Sequence, residues 1–229
     1  MKQIAIRRGD LIDYNLFMIS PGIFAVVAEA GYELGMLFMR VQEYYESQFH
    51  QYRGKNFEIL EYMNYYRKQN GSELTCTYTE DWGGYNVPSE SFEACIRGLD
   101  KVTQTQYDFE MEDILHAIRG EQPFGKFYLI GVNSIDSQTY DHEIAHALYY
   151  TNDAYRKEML ELVTEEALGK KLLDKMSETL ISRGYTGAVV LDEIQAYLSV
   201  DPFIFNGIRG VKTAARHFSK AFKKYKPVI

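Results

Sequence analysis

Short apolar runs separate the first 135 residues into segments of strand and helix character. Runs rich in β-branched and aromatic residues predict strands, and they cover residues 3–7, 11–18, 23–28, 74–79 and 126–132. Apolar positions at helical spacing predict helices over residues 34–47, 56–68, 89–97 and 108–119. The stretch 81–88, which contains paired glycines and a proline, predicts a long turn. This order of elements indicates an α+β fold, with a small, mostly antiparallel sheet packed on helices.

The second part of the chain has helical spacing almost throughout. One helix is predicted after Asp141, which can cap its N-terminus. Another begins at Asn152 or Asp153 and continues to residue 180, with a break near Gly169. Later helices follow at 188–198 and 211–225. We expect a single domain over 1–229, in which 1–135 contains the sheet and 136–229 is helical.

The predicted helix after Asp141 contains the sequence HEIAH, an HExxH pattern formed by His142, Glu143 and His146. Residues i and i+4 of an α-helix lie on one face, so the two imidazoles can bind one zinc ion. A glutamate beside the first histidine can accept a proton from a zinc-bound water. The pattern therefore predicts the catalytic helix of a zinc-dependent peptidase.

The residues around the motif favour this interpretation over two solvated histidines. Ile144, Ala145, Ala147 and Leu148 make the helix apolar nearly all round, as is typical of a buried helix. Buried polar side chains need partners, and a metal ion is the simplest partner for this set.

The strand predicted at 126–132 ends shortly before His142. In zinc peptidases an edge strand commonly lies above the metal, and an extended substrate pairs with its free backbone groups. The alternative is an interior strand without a free edge, and the sequence leaves both open.

Two histidines do not complete a catalytic zinc site, which uses three protein ligands and one water. A third histidine six residues after His146 is ruled out, because Asn152 occupies that position. Asp153 and His217 are weaker candidates. The remaining candidates are the downstream glutamates Glu158, Glu161, Glu165, Glu166, Glu178 and Glu193.

Glu193 differs from the other glutamates in its surroundings. It follows the apolar run 188–191 and precedes Ile194, Ala196 and Leu198, whereas the others lie in a charge-rich stretch where glutamates are usually solvated. An acidic pair, Asp192 and Glu193, in so apolar a segment is expected to have a partner.

HEIAH followed by DEIQAY resembles the thermolysin-like Glu-zincin (gluzincin) group of metallopeptidases. The resemblance covers about 60 residues, from His142 to Tyr197. It implies a zincin-like fold in which His142, His146 and Glu193 bind Zn²⁺ and Glu143 is the catalytic general base. Asp192 stands where the group often has a polar residue that orients a ligand histidine. No counterpart of the group's transition-state-stabilising residue is assigned, and Tyr149, Tyr150 and Tyr197 remain candidates.

Composition limits the possible partners and the compartment. The net charge of −7 argues against nucleic acid as a partner of the whole surface. The most apolar stretch, 16–27, is interrupted by Ser20, Pro21 and Gly22, so no transmembrane segment is expected. Two cysteines, Cys76 and Cys95, are typical of a reducing compartment. With no signal peptide visible, we expect a cytoplasmic protein, although a signal-independent secretion route would leave no trace in the sequence.

The stretch from Arg209 to the end contains seven lysines or arginines and no acidic residue. Residues 1–208 therefore carry about −14. The basic helix at 211–225 could bind an anionic partner or membrane surface, or it could pack against the acidic body of the protein.

Together these features predict a zinc metallopeptidase, a hydrolase that acts on a peptide or protein substrate. The first alternative is a zincin-fold sensor or interaction protein that binds metal without cleaving peptides. The second is a protein without metal, in which the HExxH pattern is accidental. The sequence specifies neither the cleavage specificity nor the oligomeric state.

Overall fold

The structure, a computed structural model, describes residues 1–5, 12–71, 74–101 and 103–228, apart from the side chain of Glu165. Two compact units are present, residues 1–135 and 136–228. The first contains a sheet and five helices within its described residues, and the second contains the remaining helices. The α+β class predicted from the sequence is confirmed.

A five-stranded sheet forms the centre of the first unit. Its order is β1-β2-β3-β5-β4, with bounds β1 Lys2–Ile4, β2 Asn15–Ser20, β3 Ile23–Val27, β4 Gly84–Pro88 and β5 Tyr128–Val132. The β3–β5 pair is parallel and the other three pairs are antiparallel. The sheet is therefore mixed and mostly antiparallel, as the sequence predicts. Residues 6, 7 and 11 of the predicted strands lie outside the described part.

Strand β5 lies between β3 and β4. It pairs on both sides, and all five of its residues are buried. Of the two interpretations of this run, the interior strand is correct, and the edge strand that would pair with a substrate is wrong. A run with apolar residues on both faces is typical of a strand buried on both sides of a sheet.

Five helices complete the first unit: α1 Gly31–Glu46, α2 Ile59–Gln69, α3 Tyr78–Asp81, α4 Ser89–Arg97 and α5 Gln106–Glu121. Helix α1 packs against β4 and β5. Gly131 of β5 permits a close approach, because a Cβ atom there would lie 2.5 Å from Cε2 of Phe38. Helix α5 begins with a capping box between Thr105 and Asp108, which satisfies backbone donors at its start.

Two local predictions in this unit are wrong. Residues 74–79 do not form a strand: Tyr78 begins helix α3, and its side chain is fully buried. Leu74 is 93% exposed, so the apolar residues of this run do not share a buried face. The predicted turn at 81–88 contains strand β4, in which Asn86 pairs with Ile130. Its glycines and proline suggested a turn, but a strand at the end of the sheet order tolerates both.

The second unit contains helices α6 Gln138–Thr151, α7 Asp153–Leu162, α8 Glu165–Leu168, α9 Lys170–Ser182, α10 Val190–Ser199 and α11 Val211–Tyr225. Helix α10 packs against α6, α9 and α11, and α7 packs against α6 and α11. The buried residues Ile144, Ile194 and Phe218 belong to this core. In the described part of the chain, none of the helices combines the length and hydrophobicity needed to cross a bilayer.

Helix boundaries in this unit follow the sequence signals closely. Asn152 caps α7 by accepting a hydrogen bond from the backbone nitrogen of Tyr155, and Gly169, with φ of 83°, precedes α9. The predicted cap of α6 is wrong, however. Ser137 caps the helix instead, by accepting a hydrogen bond from the Tyr140 backbone nitrogen. Asp141 lies within the first turn, where its negative charge interacts favourably with the positive end of the helix dipole.

Candidate metal centre

Helix α6 places two imidazoles beside each other. His142 and His146 lie one turn apart, and their Nε2 atoms are 3.1 Å from each other. His146 is buried, and the side chain of His142 is 17% exposed. The helix packs its apolar residues into the core, which fixes the direction of both rings. Both Nε2 atoms are therefore held near one point.

Helix α10 brings Glu193 to the same point. Its Oε1 lies 3.6 Å from Nε2 of His146, and its Oε2 lies 3.7 Å from Nε2 of His142. The side chain is 7% exposed. Among the described residues, Oε2 has no hydrogen-bond partner. A buried carboxylate oxygen without a partner is unfavourable, so the arrangement is incomplete without a further group.

The separations of these atoms fit a metal ion. Ligand atoms about 2.0–2.1 Å from a tetrahedral zinc ion lie about 3.4 Å apart. The two Nε2 atoms here are 3.1 Å apart, and each lies 3.6 or 3.7 Å from a different oxygen of the Glu193 carboxylate. Across the described part of the chain, His142, His146 and Glu193 form the one cluster with at least three suitable ligand residues. Two imidazoles and a carboxylate are a ligand set that zinc accepts.

The charge of the cluster also favours a cation. Burial alone would lower the pKa of His146, but the carboxylates of Asp192, Glu193 and Glu143 together raise it well above the ordinary value. The surrounding carboxylates thus stabilise positive charge at this imidazole. A divalent cation at the convergence point would supply positive charge in the same place.

Asp192 holds the other nitrogen of His146. Its Oδ1 lies 3.0 Å from Nδ1 of His146, where an Nδ1 proton can be donated to the carboxylate. With a metal ion bound, an Nδ1 proton donated to Asp192 would leave the lone pair of Nε2 for the ion, which is the tautomer that a metal ligand needs. Asp192 therefore contacts one of the two histidines that the resemblance implies as ligands, and its orienting role stays a prediction.

Two further residues extend this contact into the core. Gln195 donates from Nε2 to Oδ1 of Asp192 at 2.8 Å, and Tyr155 of α7 donates to Oε1 of Gln195 at 2.7 Å. Gln195 and Tyr155 are both fully buried. Neither was predicted from the sequence. The sequence did contain a signal for Gln195: it lies among the apolar residues of α10, and a buried glutamine needs a hydrogen-bond partner inside the protein.

Glu143, the predicted general base, follows His142 on α6 and is 5% exposed. Its carboxylate contributes to the raised pKa of both His146 and Tyr197. It therefore lies within electrostatic range of the cluster and of the nearby tyrosine.

Tyr197 is the tyrosine in contact with a candidate ligand. Its ring centroid lies 4.5 Å from that of His142, and its hydroxyl is 2.8 Å from the hydroxyl of Tyr185. Burial and the charges of Glu193 and Glu143 raise the pKa of Tyr197, although the hydrogen bond with Tyr185 partly opposes this, so the phenol stays protonated and can donate. Tyr149 instead lies within electrostatic range of Asp192, which together with burial raises its pKa.

The other candidates for a third ligand lie elsewhere. Asp153 pairs with Arg156 at 2.8 Å, and Glu158 accepts hydrogen bonds from Lys224 and Tyr225. His217 is exposed on α11. Glu161, Glu166 and Glu178 are also exposed, and the side chain of Glu165 is outside the described part.

Comparisons with known proteins add nothing to this geometry. No protein-family model matches the chain, and neither the curated proteins nor the solved structures contain a match.

Proposed function

We propose that this protein is a zinc-dependent metallopeptidase with a zincin-like catalytic unit. The observation that carries the proposal is the convergence of His142, His146 and Glu193, whose possible ligand atoms all lie within 4.8 Å of one another. In a site of this kind zinc lowers the pKa of a coordinated water toward neutrality and polarises the scissile carbonyl.

The side chains around the cluster have distinct roles in this proposal. Glu143 accepts a proton from the attacking water and delivers it to the leaving amide nitrogen. Asp192 keeps the His146 ring oriented through its Nδ1 proton. Tyr197, held by Tyr185, donates a hydrogen bond to the carbonyl oxygen as negative charge develops on it. The substrate is a peptide or protein, and the two free cysteines make the reducing cytoplasm the proposed compartment.

The first test is elemental analysis of the purified protein by inductively coupled plasma mass spectrometry. We expect about one zinc per chain in the wild type and in the exposed-site control His217→Ala. His142→Ala and Glu193→Ala should lose zinc or retain much less. Wild type that takes up no zinc, even after zinc is added back, would refute the site. Full zinc in Glu193→Ala would refute the third ligand.

The second test separates a peptidase from a metal-binding sensor. Glu143→Gln should retain zinc and lose cleavage of a peptide library, whereas the exposed control Glu161→Gln should keep both. Cleavage at the wild-type rate by Glu143→Gln would contradict the role of Glu143. If wild type and Glu161→Gln bind zinc but cleave no peptide of the library, the result would favour the metal-binding sensor.

A further inference from the structure

Four basic side chains form a stripe along one side of α11. Lys212, Arg216, Lys220 and Lys223 are all exposed, and their spacing of four, four and three residues places them on one helical face. At a rise of about 1.5 Å per residue, the stripe is about 16 Å long. We name Lys212, Arg216, Lys220 and Lys223 the basic stripe.

The basic stripe lines a groove of about 660 Å³ against the end of α10. The other lining residues are small, apolar or hydroxyl-bearing: Leu198, Ser199, Val200, Pro202, Ala215 and Ser219. The groove therefore has a cationic side and a largely apolar side. It begins at Leu198, five residues after Glu193 on the same helix, which corresponds to about 7.5 Å along the axis.

The stripe is separate from the contacts that hold α11 in place. The helix buries Val211, Phe218 and Phe222, and two other lysines form ion pairs with neighbouring helices. Lys224 pairs with Glu158 at 2.9 Å, and Lys226 pairs with Asp141 at 2.5 Å. Among the described residues, no carboxylate forms an ion pair with the four side chains of the stripe. These contacts explain how α11 is held in place, but they do not involve the charged groups of the basic stripe.

We propose that the groove binds an acidic, extended segment of a polypeptide substrate; this rests on the proposed peptidase function. Successive side chains of an extended chain point to opposite sides, so every second residue faces the same way at intervals of about 6.6 Å. Four residues of α-helix span about 6.0 Å, which is the interval between Lys212 and Arg216 and between Arg216 and Lys220. Alternate acidic side chains would face the stripe, and the intervening apolar side chains would face Val200 and Pro202, which are partly exposed.

Two other anionic partners fit the groove less well. Proteins that bind single-stranded nucleic acid combine basic side chains with aromatic rings on which bases stack, and the described lining contains no aromatic residue. A membrane-binding helix inserts its apolar face among the lipids, but Phe218 and Phe222 of α11 are buried in the protein.

The test is fluorescence anisotropy with a labelled nine-residue peptide in which glutamate alternates with valine or alanine. A peptide with glutamine in place of glutamate is the neutral control, and a peptide of the same composition with its glutamates in one block tests the spacing. The variant Lys212→Gln/Arg216→Gln/Lys220→Gln/Lys223→Gln should bind the alternating peptide at least 10-fold more weakly. Its matched control replaces four exposed lysines elsewhere, Lys101, Lys157, Lys171 and Lys175, and should bind within twofold of wild type.

Equal weakening in both quadruple variants would overturn the proposal, because net charge alone would then explain binding. Equal affinity for the alternating and block peptides would show that binding does not depend on the spacing of the glutamates, and it would overturn the proposed extended peptide with alternate acidic side chains facing the stripe. Tighter stripe-dependent binding of oligo(dT) or of phosphatidylserine vesicles would replace the acidic peptide with that partner. The double variants Lys212→Gln/Arg216→Gln and Lys220→Gln/Lys223→Gln repeat the measurement if the quadruple variant folds poorly.

Binding is also measured with Glu143→Gln and after zinc removal by a chelator. Stripe-dependent binding that persists in both would support the groove even if no peptidase activity were found. Conversely, peptide cleavage by wild type without stripe-dependent binding would overturn the groove and leave the proposed function standing.

Discussion

The Nδ1 atom of His146 and the Oδ1 atom of Asp192 lie 3.0 Å apart, joining helix α6 to helix α10. The contact fixes which nitrogen of the imidazole faces Glu193. It is itself supported, because Asp192 also accepts from Gln195, and Gln195 accepts from Tyr155. Three helices thus determine the orientation of one candidate ligand.

Replacing Asp192 should weaken zinc binding without removing a ligand. Asp192→Ala leaves the Nδ1 proton of His146 without its acceptor, and losses of orienting partners typically reduce metal affinity about 10–100-fold. Asp192→Asn keeps an acceptor oxygen but loses the charge, so its effect should be smaller. Zinc affinity is measured by competition with a chromophoric chelator, with exposed Asp174→Asn as control. Wild-type affinity in Asp192→Ala would contradict the orienting role.

Replacing Tyr155 tests the buried support of this contact. Tyr155→Phe removes the hydroxyl that donates to Gln195, and a buried acceptor left without its donor costs about 1–3 kcal/mol. We expect the free energy of unfolding of the metal-free protein to fall by about that amount in urea titrations. Tyr32→Phe, which changes a tyrosine that is 57% exposed, should stay within about 0.5 kcal/mol of wild type. Equal stability of the two variants would show that the Tyr155–Gln195 hydrogen bond contributes little.

The sequence predicts the local parts of this site better than the long-range parts. His142 and His146 share a face because of their spacing alone, and that required only a helix. The apolar neighbours of Glu193 distinguished it from the other glutamates. No spacing rule, however, could predict that its Oε1 atom lies 3.6 Å from Nε2 of His146, which is 47 positions earlier in the chain. Gln195 and Tyr155 meet only because α7 and α10 each pack near α6, and that packing depends on contacts across the whole unit.

The errors in the sheet have a similar origin. Gly84 and Pro88 have turn propensities, and pairing with β5 overrides them in strand β4. The alternating run at 74–79 fails as a strand because Tyr78 is buried beside Tyr62, Tyr66 and Tyr85 instead. In both cases tertiary packing determines the local structure.

Tyr197→Phe and Tyr149→Phe distinguish two of the three tyrosines that the sequence left open. If the phenol of Tyr197 stabilises charge on the carbonyl oxygen, its removal should lower kcat by on the order of 10², with zinc content unchanged. Tyr185→Phe should have a smaller effect, because it only holds Tyr197. Tyr149→Phe should leave kcat near the wild-type value. A larger loss in Tyr149→Phe than in Tyr197→Phe would reverse the assignment.

Glu43 should make the stability of the protein depend on pH. Burial raises the pKa of Glu43 above its ordinary value of 4.5, although the nearby hydroxyl groups of Ser47, Tyr62 and Tyr78 partly oppose this. Because the folded-state pKa is the higher one, the full contribution of this group to stability is present below about pH 4.5. It decreases as the pH rises through the folded-state pKa, since the unfolded chain releases the proton first.

Glu43→Gln keeps a similar shape and cannot ionise. The free energy of unfolding of wild type minus that of Glu43→Gln should therefore decrease between about pH 4.5 and neutrality, by at most about 1.4 kcal/mol per pH unit. Urea titrations at several pH values measure this difference, with exposed Glu80→Gln as control. A difference that rises with pH would mean that Glu43 ionises more readily in the folded protein.

Zinc should stabilise the folded protein through Glu193. A ligand that binds only the folded state adds RT ln(1 + [L]/Kd), about 2.7 kcal/mol at 100 times the Kd, so the thermal midpoint should rise with zinc and fall again with a chelator. Glu193→Ala should lose most of this shift, because two imidazoles 3.1 Å apart remain as a weaker, incomplete ligand set. In the metal-free state the same variant should change the free energy of unfolding little. It removes a buried carboxylate oxygen that has no hydrogen-bond partner among the described residues, but it also removes a negative charge that stabilises positive charge on His146. Glu178→Ala, on exposed helix surface, is the control and should retain the full shift. The full zinc-dependent shift in Glu193→Ala would show instead that Glu193 does not bind the metal, which would then need another third ligand.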